Sequence, residues 1–157
     1  MAELLDRVLL PVASEEDAET SARALERQDY GEVILVNVVE KAGGAMDKAG
    51  VEQRELEAEE MFEAARAVLG DVPSEIHYGT DVVETIFDAA NEVDATAVVV
   101  TPRGGNRFVR LITGDVALRL VTETELPVVV LPDIDAADQF DAEGTDVDSP
   151  EEGADDG

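Results

Sequence analysis

The sequence predicts a three-layer α/β domain built on a five-stranded parallel sheet. Three observations carry that prediction. Short apolar runs recur along the chain without strict polar alternation. A segment of helical period separates each run from the next. The series therefore reads βαβαβαβαβ, and such strands are buried on both faces under crossover helices. Right-handed crossovers then restrict the topology.

Each element has its own local reason. Arg7 to Val12 is a short apolar strand. Ser14 to Gln28 follows as a helix with Ser14 as N-cap, since a hydroxyl there accepts from a free N–H of the first turn. Its buried face is Ala18, Ser21, Ala22 and Leu25, at i, i+3, i+4 and i+7. Glu32 to Val39 is the second strand, centred on VILV. Asp47 to Leu69 is a longer helix, with a stripe of Met61, Phe62, Ala65, Val68 and Leu69.

Ser74 to Tyr78 is the third strand. Asp81 caps the next helix, and Glu84 stands where a capping box would place it. Val83, Ile86, Phe87 and Ala90 form its apolar face. Ala95 to Thr101 is the fourth strand. Gly114 to Thr124 is the fourth helix, expected to bury Ala117, Leu120 and Val121. Leu126 to Leu131 is the fifth strand, stopped by Pro132.

Composition excludes several function classes. The 157 residues suit one domain with a tail, and the absence of cysteine rules out disulfides and thiolate metal sites. No run approaches the roughly 18–20 apolar residues of a membrane span. The N-terminus lacks a cationic, cleavable leader, so the expected location is the cytoplasm. The chain carries 38 acids against 11 basic residues, a formal net charge of −27. Such a surface repels nucleic acid and anionic membrane. It fits either an acidic interaction protein or, the favoured reading, adaptation to molar salt, where the Debye length falls to about 3 Å. Survival of the fold in dilute buffer, read by circular dichroism, would count against that adaptation. Residues 133–157 hold 11 acids and no Lys or Arg, and are expected to form a disordered acidic tail.

The candidate site lies in residues 98–116, VVVTPRGGNRFVRLITGDV. A strand, a glycine-containing loop and a helix N-terminus form a common phosphate cradle. Arg103, Arg107 and Arg110 lie in this stretch, and with Arg119 they gather four of the eleven basic residues within seventeen positions. Asp115, however, puts a negative charge at the helix start, where the free N–H groups would otherwise meet an anion. Two readings stay open. The arginines neutralise Asp115 and neighbouring acids, or they capture a nucleotide.

Other positions are weaker candidates. His77, the only histidine, has no metal-ligand spacing around it in the sequence, so no metal site is expected. Gly43-Gly44 reads as a loop. Glu57, Glu59, Glu60 and Glu63 read as a solvated helical face. Ser14 has no general base beside it, so no catalytic residue is assigned and the chain is not expected to be an enzyme.

RVLLPVASEEDAETSARAL, VILVNVVE and VVVTPRGGNRFVRLITGDVALRLVTETELPVVVLP together resemble the universal stress protein (UspA-like) family across roughly residues 5–132. The resemblance implies a doubly wound, adenine nucleotide alpha hydrolase-like sheet of strand order 3-2-1-4-5. The family pattern of ATP-binding members is G-x2-G-x9-G-S/T. Nine residues separate Gly104 from Gly114 here, as in that pattern. Thr101 replaces its first glycine and Asp115 its Ser/Thr. Ala13 stands where those members carry an Asp after Pro-Val.

The site implied by the resemblance comprises Pro11, Ala13, Val38, Thr101, Arg103, Gly104, Arg107, Gly114, Asp115 and Val116. Its implied cofactor is ATP with Mg²⁺. The resemblance also implies a homodimer through the last strand, Val128 to Leu131. The leading expectation is a stress-response or regulatory protein acting by dimerisation and contact with a protein partner, its nucleotide site degraded. The alternative is an ATP/AMP-binding switch that orders the 102–113 loop.

Overall fold

The computed structural model describes residues 3–41, 47–101 and 114–132, with side chains in the last segment from Leu118 onward. The elements in order are β1 (Arg7–Pro11), α1 (Glu15–Glu26), β2 (Glu32–Glu40), α2 (Lys48–Leu69), β3 (Ser74–Gly79), α3 (Val82–Glu92), β4 (Ala97–Val100), α4 (Gly114–Thr122) and β5 (Val128–Val130). The five strands form one parallel sheet of order β3-β2-β1-β4-β5. This is the fold class and strand order expected from the sequence. The last two strands are shorter than their apolar runs.

Local chemistry starts the helices where expected. The Ser14 hydroxyl accepts from the Asp17 N–H at 3.0 Å, and three acids follow it in the first turn of α1. They face the positive end of the helix dipole. Asp47 caps α2 through the Gly50 N–H at 2.8 Å. Asp81 caps α3 through the Glu84 N–H at 3.1 Å. Glu84 is exposed and returns no bond to Asp81 among the described residues, so the capping box is half formed.

Alternation along the strands divides the core into two layers. Val8, Leu10 and Val12 of β1 and its extension face α1 and α2, where Ala18, Ala22, Leu25, Phe62 and Ala65 are buried. Leu9, with Ile34 and Val36 of β2, faces Val83, Ile86, Phe87 and Ala90 of α3 and Leu120 of α4. Fully burying each large side chain contributes roughly 1.5–3 kcal/mol. Because both faces are covered, the central strands carry no polar alternation. Turns between layers are tight. A Cβ on Gly31 would lie 2.3 Å from the Asp6 carbonyl oxygen, so only glycine fits that approach.

One expected core position is corrected. Val121 was expected on the buried face of α4, but it is 52% exposed while its neighbour Leu120 is buried. Successive helical residues are rotated by about 100°, and the apolar arc of α4 is narrower than its composition. Leu118 is exposed as well, at 60%. The side chain of Ala117 and the whole 133–157 tail lie outside the described residues.

Candidate functional site at the carboxyl rim

In open parallel sheets, ligands bind beyond the strand carboxyl ends, where the strand order reverses. Here β1 is paired with β2 on one side and with β4 on the other, so the reversal lies between β1 and β4. Pro11 ends β1, Val38 lies near the end of β2, and Thr101 follows β4. The topology thus brings Pro11, Ala13, Val38 and Thr101 to one rim. Gly114, Asp115 and Val116 form the start of α4. Arg103, Gly104 and Arg107 lie outside the described residues, as do Arg110 and Gly43-Gly44.

Buried polar groups fix the β1 end of the rim. Asn37 is buried, and its amide donates to the Val12 carbonyl at 2.9 Å. The Val12 N–H donates to the Val36 carbonyl at 2.8 Å, so the pairing of β1 with β2 extends past Pro11. The Ala13 N–H donates to the Asp17 carboxylate at 2.9 Å. Asp17 is 1% exposed. Thus Ala13 carries no carboxylate, yet a carboxylate from the first turn of α1 holds its backbone. The sequence identified Ser14 as the cap but not this return bond. A Ser-x-x-Asp spacing, a close relative of the capping box, was the available signal.

A cleft of about 580 Å³ opens between the ends of β1 and β2 and the flank of α2. Ala13, Ser14, Asn37, Val38 and Met61 line its inner part. Glu15, Glu40, Glu57 and Glu60 surround these, with Arg54 as the cation of the lining. Arg54 is already paired with Glu57 at 2.8 Å. Hydrogen bonds from Gln53 and then from Arg54 hold the Glu57 carboxyl below the usual glutamate range. Glu57 therefore stays ionised, and the wall remains net negative. Such a cleft accepts a neutral ring or hydroxyls more readily than a polyphosphate. Two unit charges 4 Å apart interact by about 4 kcal/mol at an effective dielectric of 20.

The β4 end differs. Thr101 is 1% exposed, and its hydroxyl has no hydrogen-bond partner among the described residues. A buried hydroxyl without a partner is costly. Arg119, grouped in the sequence with the loop arginines, bonds Asp81 at 2.9 Å and Glu123 at 3.0 Å. It ties α4 to the cap of α3. These bonds hold the Asp81 carboxyl below its usual range, Arg119 contributing first and the Glu84 N–H second. The contacts to Glu123 and Asp81 push the Arg119 guanidinium upward, so it stays charged.

Sequence reasoning missed a second group entirely. Glu75, His77 and Glu92 meet on the α3 side of β3. The i, i+2 spacing of Glu75 and His77 was visible, but Glu92 joins them only through the packing of α3. Among the described residues, no helix is long and apolar enough to cross a membrane.

Comparisons with known proteins agree with this architecture. Comparison with curated proteins finds no sequence match. Among solved structures, the chain is similar to a universal stress protein from Archaeoglobus fulgidus in complex with dAMP. The identity is 21%, the TM-score 0.56, and the match covers 82% of this chain and 99% of that one. It is also similar to universal stress protein UspA from Lactobacillus plantarum, at 20% identity and TM-score 0.54, covering 83% and 99% of the two chains. A further universal stress protein, in complex with cAMP, matches at 15% identity and TM-score 0.54, over 80% and 95%. At these identities the likeness establishes the fold. The sequence signature of the Universal stress protein family matches residues 5–132, and the chain belongs to that family.

Proposed function

We propose that the chain is a stress-response or regulatory binding protein that acts by dimerisation and contact with a protein partner, with a nucleotide site altered from the family pattern. One observation carries the reading: β5 is an edge strand of three valines, and Val130 is 50% exposed. Leu118 and Val121 add exposed apolar surface on α4. An apolar strand edge invites pairing with another chain, and a second copy joining at Val128–Leu131 satisfies both the ladder and the side chains. The glutamate-rich wall of the cleft supports the altered-site half of the reading. The net charge of −27 supports adaptation to molar salt and a role away from nucleic acid. The chemistry assigned to the chain is binding rather than catalysis, and its expected location is the cytoplasm. Sedimentation equilibrium in molar KCl tests the dimer. The parent chain is expected to sediment as a dimer, and Val130→Lys to weaken association at least tenfold. A monomeric parent chain overturns the proposal.

The buried Thr101 hydroxyl favours a second reading, an ATP/AMP-binding switch. A hydroxyl at the order reversal, with no protein partner among the described residues, supports this reading because it would donate to a ribose or phosphate oxygen. Pro11, Ala13, Val38, Gly114 and Val116 would line that ligand, with Arg103, Gly104 and Arg107 against its phosphates and Mg²⁺ offsetting Asp115. Calorimetric titration with ATP and Mg²⁺ separates the two readings. Sub-millimolar binding that is lost in Gly114→Val selects the switch. Binding weaker than millimolar selects the altered site.

A further inference from the structure

The group at Glu75, His77 and Glu92 stands apart from the carboxyl rim. Glu75 and His77 leave the same face of β3, two residues apart. Ile76 between them packs on the α1–α2 layer, which sets the pair on the α3 side. His77 Nε2 lies 2.8 Å from Glu75 Oε1. Glu92 is the last residue of α3. One ligand atom from each of the three residues lies within 4.8 Å of the other two. We infer that Glu75, His77 and Glu92 form a binding site for a first-row transition-metal dication, with Zn²⁺ as the representative ion.

The geometry suits a shared ion. Zn–N and Zn–O bonds are about 2.0–2.2 Å, so ligand atoms around one ion stand about 3–4.4 Å apart. Small side-chain rotations bring the three groups to that spacing. One imidazole and two carboxylates occupy one side of the ion and leave the rest to water. The imidazole favours Zn²⁺ and its neighbours over Mg²⁺ and Ca²⁺, which prefer an all-oxygen shell.

The charge pattern is a second, independent reason. Glu92 sits at the carboxyl end of α3, where the helix dipole is negative, and the last turn of α3 holds no basic residue. Glu75 has the His77 ring as its hydrogen-bond partner, and Glu92 has no hydrogen bond or ion pair among the described residues. Two carboxylates and a helix carboxyl end therefore converge on one imidazole. A proton on that ring supplies a single positive charge. A dication supplies two and also ties Glu92 into the group, which the His77–Glu75 contact alone does not.

The chain's single histidine makes the test direct, because His77 gives the only imidazole signals in a proton NMR spectrum. Zn²⁺ alone is titrated into the full chain in molar KCl near neutral pH, where salt screens diffuse cation binding to the acidic surface. One equivalent is expected to shift the His77 resonances, while the same concentration of Mg²⁺ leaves them in place. Glu92→Gln, an exposed substitution whose fold is checked by circular dichroism, is expected to weaken Zn²⁺ binding at least tenfold. Glu84→Gln, on the same helix but outside the group, leaves the affinity unchanged. Unmoved His77 resonances at several equivalents of Zn²⁺ overturn the site. Equal affinity in the parent chain and Glu92→Gln also overturns it.

Discussion

The sheet has two edges of opposite chemistry. At β3 every residue is half-buried: Glu75 and His77 leave one face, and Ser74 and Tyr78 share the other with Ile76. At β5 the row is Val128, Val129 and Val130, with charge nowhere in the strand. Charged side chains blunt an edge because a pairing strand would have to desolvate them. The β3 edge is protected in this way and the β5 edge is not. Among the described residues of so acidic a chain, an apolar edge without charge is the exception. In the dimer proposed above this is the edge that a second copy would cover, whereas the charge on β3 opposes such pairing.

Truncating one residue on each edge gives the largest expected contrast. Ile76 packs against the α1–α2 layer. Ile76→Ala is expected to cost about 2 kcal/mol, the low end for Ile-to-Ala because the site is half-buried. That cost should be the same at every protein concentration. Val130→Ala should cost less than about 0.5 kcal/mol in a monomer, as exposed substitutions do. If a second copy covers β5, the Val130→Ala cost becomes concentration-dependent. Urea unfolding in molar KCl at two concentrations a hundredfold apart reads both effects. Concentration-independent midpoints for the two variants would erase the distinction between the edges.

A smaller effect sharpens the β3 side. A Cβ on Gly79 would lie 2.0 Å from the Thr85 hydroxyl, which donates to the Asp81 carbonyl at 2.7 Å. Gly79→Ala must therefore displace a nearly buried β-branched side chain, at about 1–2 kcal/mol. Combining it with Thr85→Ala should recover part of that loss, measured as a coupling in a double-mutant cycle. Strict additivity would place the strain elsewhere.

These contrasts also indicate how far the sequence could be read. Period, caps and turn residues located all nine elements within a few residues, because burial on both faces leaves long apolar runs. The ends of β4 and β5 were overextended because Thr101 and Leu131 are buried like strand residues although the strands stop before them. Val121 was misplaced because an apolar residue on a helix is equally suited to the core and to an interface. At the rim, Ala13, Val38 and Thr101 were identifiable from order along the chain. The Asp17 bond to Ala13 and the meeting of Glu92 with His77 were not, since each depends on side-chain direction after packing.

The smallest expected effect concerns the tie between the two sides. Arg119 of α4, the helix before β5, bonds Asp81, the cap of α3, the helix after β3. Asp81→Ala removes the cap and the tie together, at about 1 kcal/mol. Asp81→Asn keeps a capping oxygen and removes the charge, which isolates the ionic part. The folded Asp81 carboxyl titrates below its unfolded range, because Arg119 and the Glu84 N–H favour its charged form. The unfolded chain therefore takes up this proton first as pH drops. The contribution is complete above the ordinary aspartate range and is lost as pH falls through the lower, folded value. Asp81→Asn should flatten that part of the acid limb relative to the parent chain. Arg119→Gln should flatten it less, since the cap bond from Glu84 remains. Urea midpoints between neutral and acid pH in molar salt measure all three chains. Identical acid limbs would mean that the Arg119 contact is screened and that the two edges are coupled through the core alone.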